Sequence, residues 1–393
     1  MSENMANNTQ QMKSGEQQNR ATSRGSVEQE SRDIATQQAY FKELVAYGVP
    51  ISRLSCQGWD MQGWDLSGVV FDNVDFSQVN LRGADLRQSV FNQCRFIGAN
   101  LQDVVANEVI FYACELGSSQ WQKAQLLESK WSECDLDNSN FNQANLAQSV
   151  WSQCSCADSQ FTSVDASAVV LQKIHFAQSD FQEALLVRTH FVDCDLRATQ
   201  LNQAKIEASV FIECNLSQQD FSGLDLNQCV FSDCIADEIN FSHAQLGQSS
   251  LLACRLHKAN FNQVNAPMLV LSQADITQAQ FIQANLQHAV MNRMNAFEVN
   301  FQGADLSMSV WEYSQAECCN FTSCRLYCTN FSYANLRDSV FKHNHFELTQ
   351  FHRAIVAAAV QQSAGAIEKE TGMYEAELWS AQFRPVHPSK GIV

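Results

Sequence analysis

Hydrophobic positions along most of this chain recur every five residues. Between Leu66 and Phe351, residues whose numbers end in 1 or 6 make 58 positions, and 51 of these are Phe, Leu, Ile, Met or Trp. Two places before each, the residue is Ala, Cys, Ser, Thr or Val in 50 of 58 cases. A helix repeats its apolar stripe about every 3.6 residues and a strand about every 2, so neither can organise a sustained period of five. The pattern predicts a solenoid, in which each coil buries its apolar side and stacks on the next.

A longer period sits on the shorter one. Cys94, Cys114, Cys134, Cys154, Cys194, Cys214, Cys234 and Cys254 are spaced by 20, with Ile174 filling the one gap. This spacing predicts four units per coil and a vertical ladder of thiols inside one corner. Aromatic residues take 22 of the 29 central positions ending in 1 and only 4 of the 29 ending in 6. Two opposite faces are therefore expected to be lined by Phe and Trp stacks, and the other two mainly by Leu. Seven central positions are small: Ala106, Cys156, Ala166, Ala236, Ala266, Ala296 and Ala316. A missing Leu in a packed core costs about 2–5 kcal/mol. Val104, Val164 and Val264, standing two places before three of these alanines, restore the volume.

The units Ala84-Asp85-Leu86, Ala99-Asn100-Leu101, Cys134-Asp135-Leu136, Ala144-Asn145-Leu146, Cys194-Asp195-Leu196, Ala259-Asn260-Phe261, Ala304-Asp305-Leu306 and Ala334-Asn335-Leu336 resemble those of pentapeptide repeat proteins. The resemblance covers residues 51–353. It implies an all-β solenoid, a right-handed quadrilateral β-helix in which each pentapeptide makes one side. The central residue and the one two before it then point inward. Stacked at roughly 4.8 Å per coil, such a rod is on the order of 70 Å long.

The flanks read differently. Residues 1–32 form a polar tail, rich in Gln, Asn, Ser and Glu and expected to be disordered. A capping helix is predicted within 33–50, with Ser31 or Asp33 as N-cap, Ile34, Phe41, Leu44 and Val45 on one stripe, and Gly48 and Pro50 as stops. Trp59 and Trp64 are its candidate seat. Residues 354–393 are expected to be helical, beginning with the apolar run Ala354–Val360 and resuming around Tyr374–Trp379, followed by an extended tail. In that segment Ile355, Val356 and Val360 are read either as a cap or as a dimer surface. The resemblance implies the second, because members that resist topoisomerase poisons dimerise through their C-terminal ends.

Composition narrows the function. No apolar run is long enough for a membrane span and no secretory leader is visible, so the chain is expected to be cytoplasmic or exported by a signal-peptide-independent route. Fifteen cysteines in that setting read as reduced thiols. The ladder is expected to pack as small hydrophobes, and Cys318 and Cys328 to face outward. His343, His345 and His352 lack metal-ligand spacing. No nucleophile and base pair or phosphate-cradling loop stands out, so the expectation is a non-enzyme without cofactor.

The net charge is −17, which argues against nucleic acid as a direct ligand. Outward acids cluster on one corner, at Glu133, Asp135, Asp193, Asp195, Glu213 and Asp233, a candidate interaction stripe interrupted by Arg95, Lys173 and Arg255. The resemblance implies two binding roles. One is a protein-binding scaffold, such as an adaptor or effector of a bacterial type VI-like secretion system. The alternative is a DNA mimic that occupies DNA gyrase and protects it from quinolones. Residues 51–353 carry 32 acidic and 17 basic side chains, a net of 15 negative charges, against about 40 on duplex DNA of that length.

Overall fold

The computed structural model describes residues 34–357, 360 and 366–367. The polar tail, the proposed N-caps, the helical stretch near Tyr374 and the extended tail lie outside the described residues. From Ile51 onward the chain winds as a solenoid in which residue i pairs in parallel with residue i + 20. Strands β1 (Ile51–Ser52) and β2 (Val70–Asp72) begin a parallel sheet of eleven strands that ends at β11 (Ser250–Leu252). Every strand follows its predecessor by one coil, with Phe71 opposite Phe91 and Phe91 opposite Phe111. Beyond β11 the same face continues as single bridges, from Ser250–Val270 to Asn330–Gln350.

Burial follows the five-residue rule. Central residues and those two before them are buried, and the three between are exposed or partly so. Two aromatic columns run through the core. In one, Phe71, Phe91, Phe111, Trp131 and Trp151 stack with centroids 4.3–4.9 Å apart. In the other, Phe241, Phe261, Phe281, Phe301 and Phe321 stack at 4.4–5.3 Å. The columns meet edge to face across the core, as between Phe111 and Trp121 at 5.7 Å. Each indole of Trp121, Trp131, Trp151 and Trp311 donates to the hydroxyl of the serine two residues earlier, at 2.7–2.9 Å. A Ser-x-Trp pair thus satisfies the one polar atom that a core Trp brings inside.

Corners are tight because the residue two after nearly every central position is left-handed, with φ near +57° at Gln263 and Gln283. On three sides the turn closes through an i to i+3 bond, such as Ala84 N–H to the Leu81 carbonyl at 2.9 Å. The sheet side differs through Cys234, where the residue that would donate is Val74, Cys94 or another ladder member, and the turn stays open. The central carbonyl there takes part in the ladder with the next strand, and the thiol one coil up donates to it as well: Cys114 Sγ to Phe91 at 3.3 Å and Cys214 Sγ to Phe191 at 3.4 Å. Serines do the same on neighbouring sides, as Ser89 does for Leu66 at 2.7 Å. The preference for small polar residues before the central one thus serves coil-to-coil hydrogen bonding as well as volume.

The N-terminal end is covered. Helix α1, residues 34–46, lays Phe41 on the first coil, 5.8 Å from Trp59 and stacked on Phe71 at 6.2 Å. Lys42 Nζ stands 4.1 Å over Trp64. Ile34, placed on the buried stripe by sequence, is 42% exposed, because contact is confined to the second half of the helix. Phe41→Ala is expected to cost about 3 kcal/mol of packing and to act locally, because each coil rests only on its neighbours. Hydrogen exchange should speed up in residues 51–76 and remain unchanged around Phe211. Uniform acceleration along the rod would contradict a nearest-neighbour cap.

At the other end the repeat runs further than its sequence signal. Ala354 closes a turn on Phe351 and Ile355 bridges to Asn335, and the helical reading does not hold for residues 354–357. Val356 and Val360 pack against the core, whereas Ile355 is 51% exposed. Strand β13 (Ala366–Ile367) then pairs in parallel with β12 (Thr349–Gln350).

Candidate interaction face

The four sides of the rod are chemically unlike. Opposite the sheet, the column through Asn80, Asn100, Asn240, Asn260, Asn300 and Asn320 ties successive coils through side-chain amides at about 3 Å. Those polar groups are largely spent on one another. The sheet side instead turns β-branched residues outward. Val70, Val90, Ile110, Val150, Val170, Val210 and Val230 lead their strands, and Val150 is 42% exposed. Parallel pairing stacks them into a ridge along the rod.

The predicted acids border this ridge. Glu133, Asp193, Glu213 and Asp233 are exposed and share one column, three residues beyond the ridge in each coil. Asp135 and Asp195 lie in the next column outward. Asp195 is not a free charge: the Arg197 guanidinium sits 2.6 Å away, and this hydrogen-bonded pair holds the carboxyl below its usual range. Two of the interrupting cations are likewise engaged, Arg95 with Glu115 at 3.0 Å and Arg255 with Asp237 at 2.6 Å. Lys173 is exposed in the acid column itself.

Further along that column the charge reverses. Tyr313 and Tyr333 stack at 4.8 Å, with Arg293 and Arg353 each 5.7 Å over a ring. Tyr313 is 48% exposed. Sequence reasoning passed over this strip and the valine ridge, though the same 20-residue spacing that exposed the thiol ladder would have found both. His352 is buried edge-on to Tyr333 at 5.4 Å, whereas His343 and His345 are exposed. Among the described residues, no three His, Cys, Asp or Glu side chains converge as a metal-ligand set.

The inner ladder thiols are chemically quiet, whereas a hydrogen bond with the Cys114 thiol holds Cys94, at the end of the ladder, below the ordinary thiol value. Hydrogen bonds between neighbouring thiols act in both directions along the column and burial adds a rise, so Cys114, Cys134, Cys214 and Cys234 are pushed up to about 12. A cavity of about 520 Å³ lies between α1 and the first coil, where Lys42, Trp64, Asp65 and Ser67 are among its lining residues. No helix among the described residues is long and apolar enough to cross a membrane.

This architecture agrees with two family models. One, described as pentapeptide repeat region, matches residues 64–141, 104–175 and 204–281. The other, pentapeptide repeats (8 copies), matches residues 174–211, 274–308 and 314–355. The chain belongs to the pentapeptide repeat family. No curated protein matches this family member. Among solved structures it is similar to HetL, a pentapeptide repeat protein involved in heterocyst differentiation regulation in the cyanobacterium Nostoc sp. strain PCC 7120. The identity is 17%, over 75% of this chain and 88% of that one, with a TM-score of 0.20. It is also similar to QnrB1, a plasmid-mediated fluoroquinolone resistance protein, at 15% identity over 64% and 97% of the two chains, with a TM-score of 0.24. A pentapeptide repeat protein of the Arabidopsis thaliana thylakoid lumen matches at 18% identity over 37% and 71%, with a TM-score of 0.16.

Proposed function

We propose that this pentapeptide repeat chain is a non-enzymatic scaffold that presents its sheet face to a protein partner, an adaptor role of the kind a bacterial secretion system uses. The contrast between faces carries the reading. One side has its amides tied in ladders, while the other displays an apolar ridge bordered by charges and by Tyr and Arg, the residue types enriched in binding hot spots. The same face weighs against DNA mimicry, because its acids are interrupted by Lys173 and partly neutralised by Arg197.

Two matched glutamines test this. Gln153 lies on the sheet face and Gln143 on the opposite one, both exposed and both with left-handed backbone. With a photoreactive benzoylphenylalanine at either position, irradiation in native extract is expected to give protein adducts from position 153 and not from 143. Equal adducts from both positions, or none from either, would overturn the proposal.

A further inference from the structure

The charge order along the acid column suggests its occupant. Glu133, Asp193, Glu213 and Asp233 fill its middle, and Arg293, Tyr313, Tyr333 and Arg353 its far end, all on one sheet face. Arg293 and Arg353 are 60 residues apart, three coils, and so are Glu133 and Asp193. Two rods laid face to face and antiparallel, related by a two-fold axis across the rod, place every column on itself in reverse order. With the axis between the coils of Asp233 and Ala253, Arg353 meets Glu133 and Arg293 meets Asp193 of the second copy. Tyr313, its ring faces covered by Tyr333 and Arg293, then turns its hydroxyl edge toward Lys173, an acceptor for the ammonium. No other antiparallel register sets both arginines on acids of this column.

The rest of the face agrees. In that register Val310 lies over Val170 and Val270 over Val210, while Val150, Val230 and Val290 fall on Asn330, Ser250 and His190, so the ridge valines meet no acid or lysine. The remaining acids of the column fall on neutral residues, Glu213 on Gln273 and Asp233 on Ala253. Both arginines are already held over tyrosine rings, which lowers the entropy lost on pairing. The overlap from Glu133 to Arg353 spans eleven coil steps, roughly 50 Å, and a strip about 15 Å wide over that length is the size of a standard interface.

We infer that the sheet face binds a second copy of this chain in this antiparallel register. The inference rests on reading that face as a protein-binding surface, and it names the partner.

Charge reversal tests it at three exposed positions and at the half-buried Arg353. In the double variant Arg293→Glu and Arg353→Glu, acids oppose acids twice over in the homodimer. In Glu133→Arg and Asp193→Arg, cations oppose cations. The wild-type full chain should sediment at twice its 44.1 kDa mass, and each variant alone should dissociate with at least a tenfold weaker self-affinity. An equimolar mixture should recover the dimer, because every reversed charge then meets its opposite. Circular dichroism melts check that both variants stay folded. In purified wild-type background, benzoylphenylalanine at position 153 should cross-link to the second copy near Tyr333.

A monomeric wild type overturns the inference, as does a dimer indifferent to both reversals or a mixture that stays monomeric. If the purified protein is monomeric but position 153 still cross-links another protein in extract, self-association fails and the face reading stands. If position 153 gives no adduct in either setting, both fail.

Discussion

Phe211→Asp is expected to abolish the single cooperative unfolding transition of the rod. Phe211, in β9 (Val210–Ile212), is 1% exposed and stacks between Phe191 at 4.9 Å and Phe231 at 4.8 Å. Removing a buried Phe costs about 3–5 kcal/mol through lost transfer and cavity energy. A carboxylate in its place adds several more, since it must either stay charged in an apolar column or take up a proton against its usual equilibrium. A solenoid confines the damage to adjoining coils, so the two halves should unfold separately. The outward partner is Gln218→Ala, which gives up only an exposed 3.3 Å hydrogen bond to Glu238 and should leave the thermal midpoint within about a degree. Differential scanning calorimetry of both variants decides the matter, and equal tolerance would contradict the inward and outward assignment.

Alkaline pH should unfold the protein more steeply than its tyrosines and lysines alone would cause. Burial pushes Cys56, Cys229, Cys319 and Cys324 from 9.0 up to about 12, and four ladder thiols reach the same value. The unfolded chain ionises first, near the ordinary thiol value, while the folded chain keeps its protons. Their stabilisation is therefore complete below about pH 9 and is lost as pH rises toward the folded values near 12. Three pH units correspond to on the order of 4 kcal/mol per thiol, so a few thiols suffice to exceed the net stability of a domain. Replacing Cys114, Cys134, Cys214 and Cys234 by Ser keeps a donor for the open-turn carbonyls, as Ser89 already provides elsewhere. Melting curves across this range should show a shallower decline for the quadruple variant. Superimposable curves would mean that the ladder is not the alkaline trigger.

Much of this was readable before any coordinates, because a solenoid turns sequence period directly into position. Phe71 and Phe91 share a column simply because 20 residues separate them, and the thiol ladder was legible for the same reason. The strands were not. Whether the sheet passes to the next coil as a three-residue strand or as a single bridge depends on whether the preceding turn stays open, as at Cys94, or closes, as at Cys254, a backbone choice that leaves little trace in composition. The candidate interaction face was half legible. Its acids stand out as charges, but Val150 and Val170 look like ordinary β-formers until the column shows that they point outward together. Pairings such as Arg197 with Asp195 lie along one side, where residues two apart point the same way, but the spacing does not say which of several nearby carboxylates an arginine takes.

The coil length of 20 gives the rod a reading frame in space. Excising one whole coil would shorten it by about 4.8 Å and leave every remaining residue on its own side. Excising a single pentapeptide would still place Phe or Leu inside, yet it would rotate everything downstream by a quarter turn, setting Tyr313 and Tyr333 on a different side from Asp193. Growth by duplication of complete coils is therefore silent for the surface pattern. Gain or loss of five, ten or fifteen residues behaves like a frameshift, preserving the core while scrambling what the outside displays.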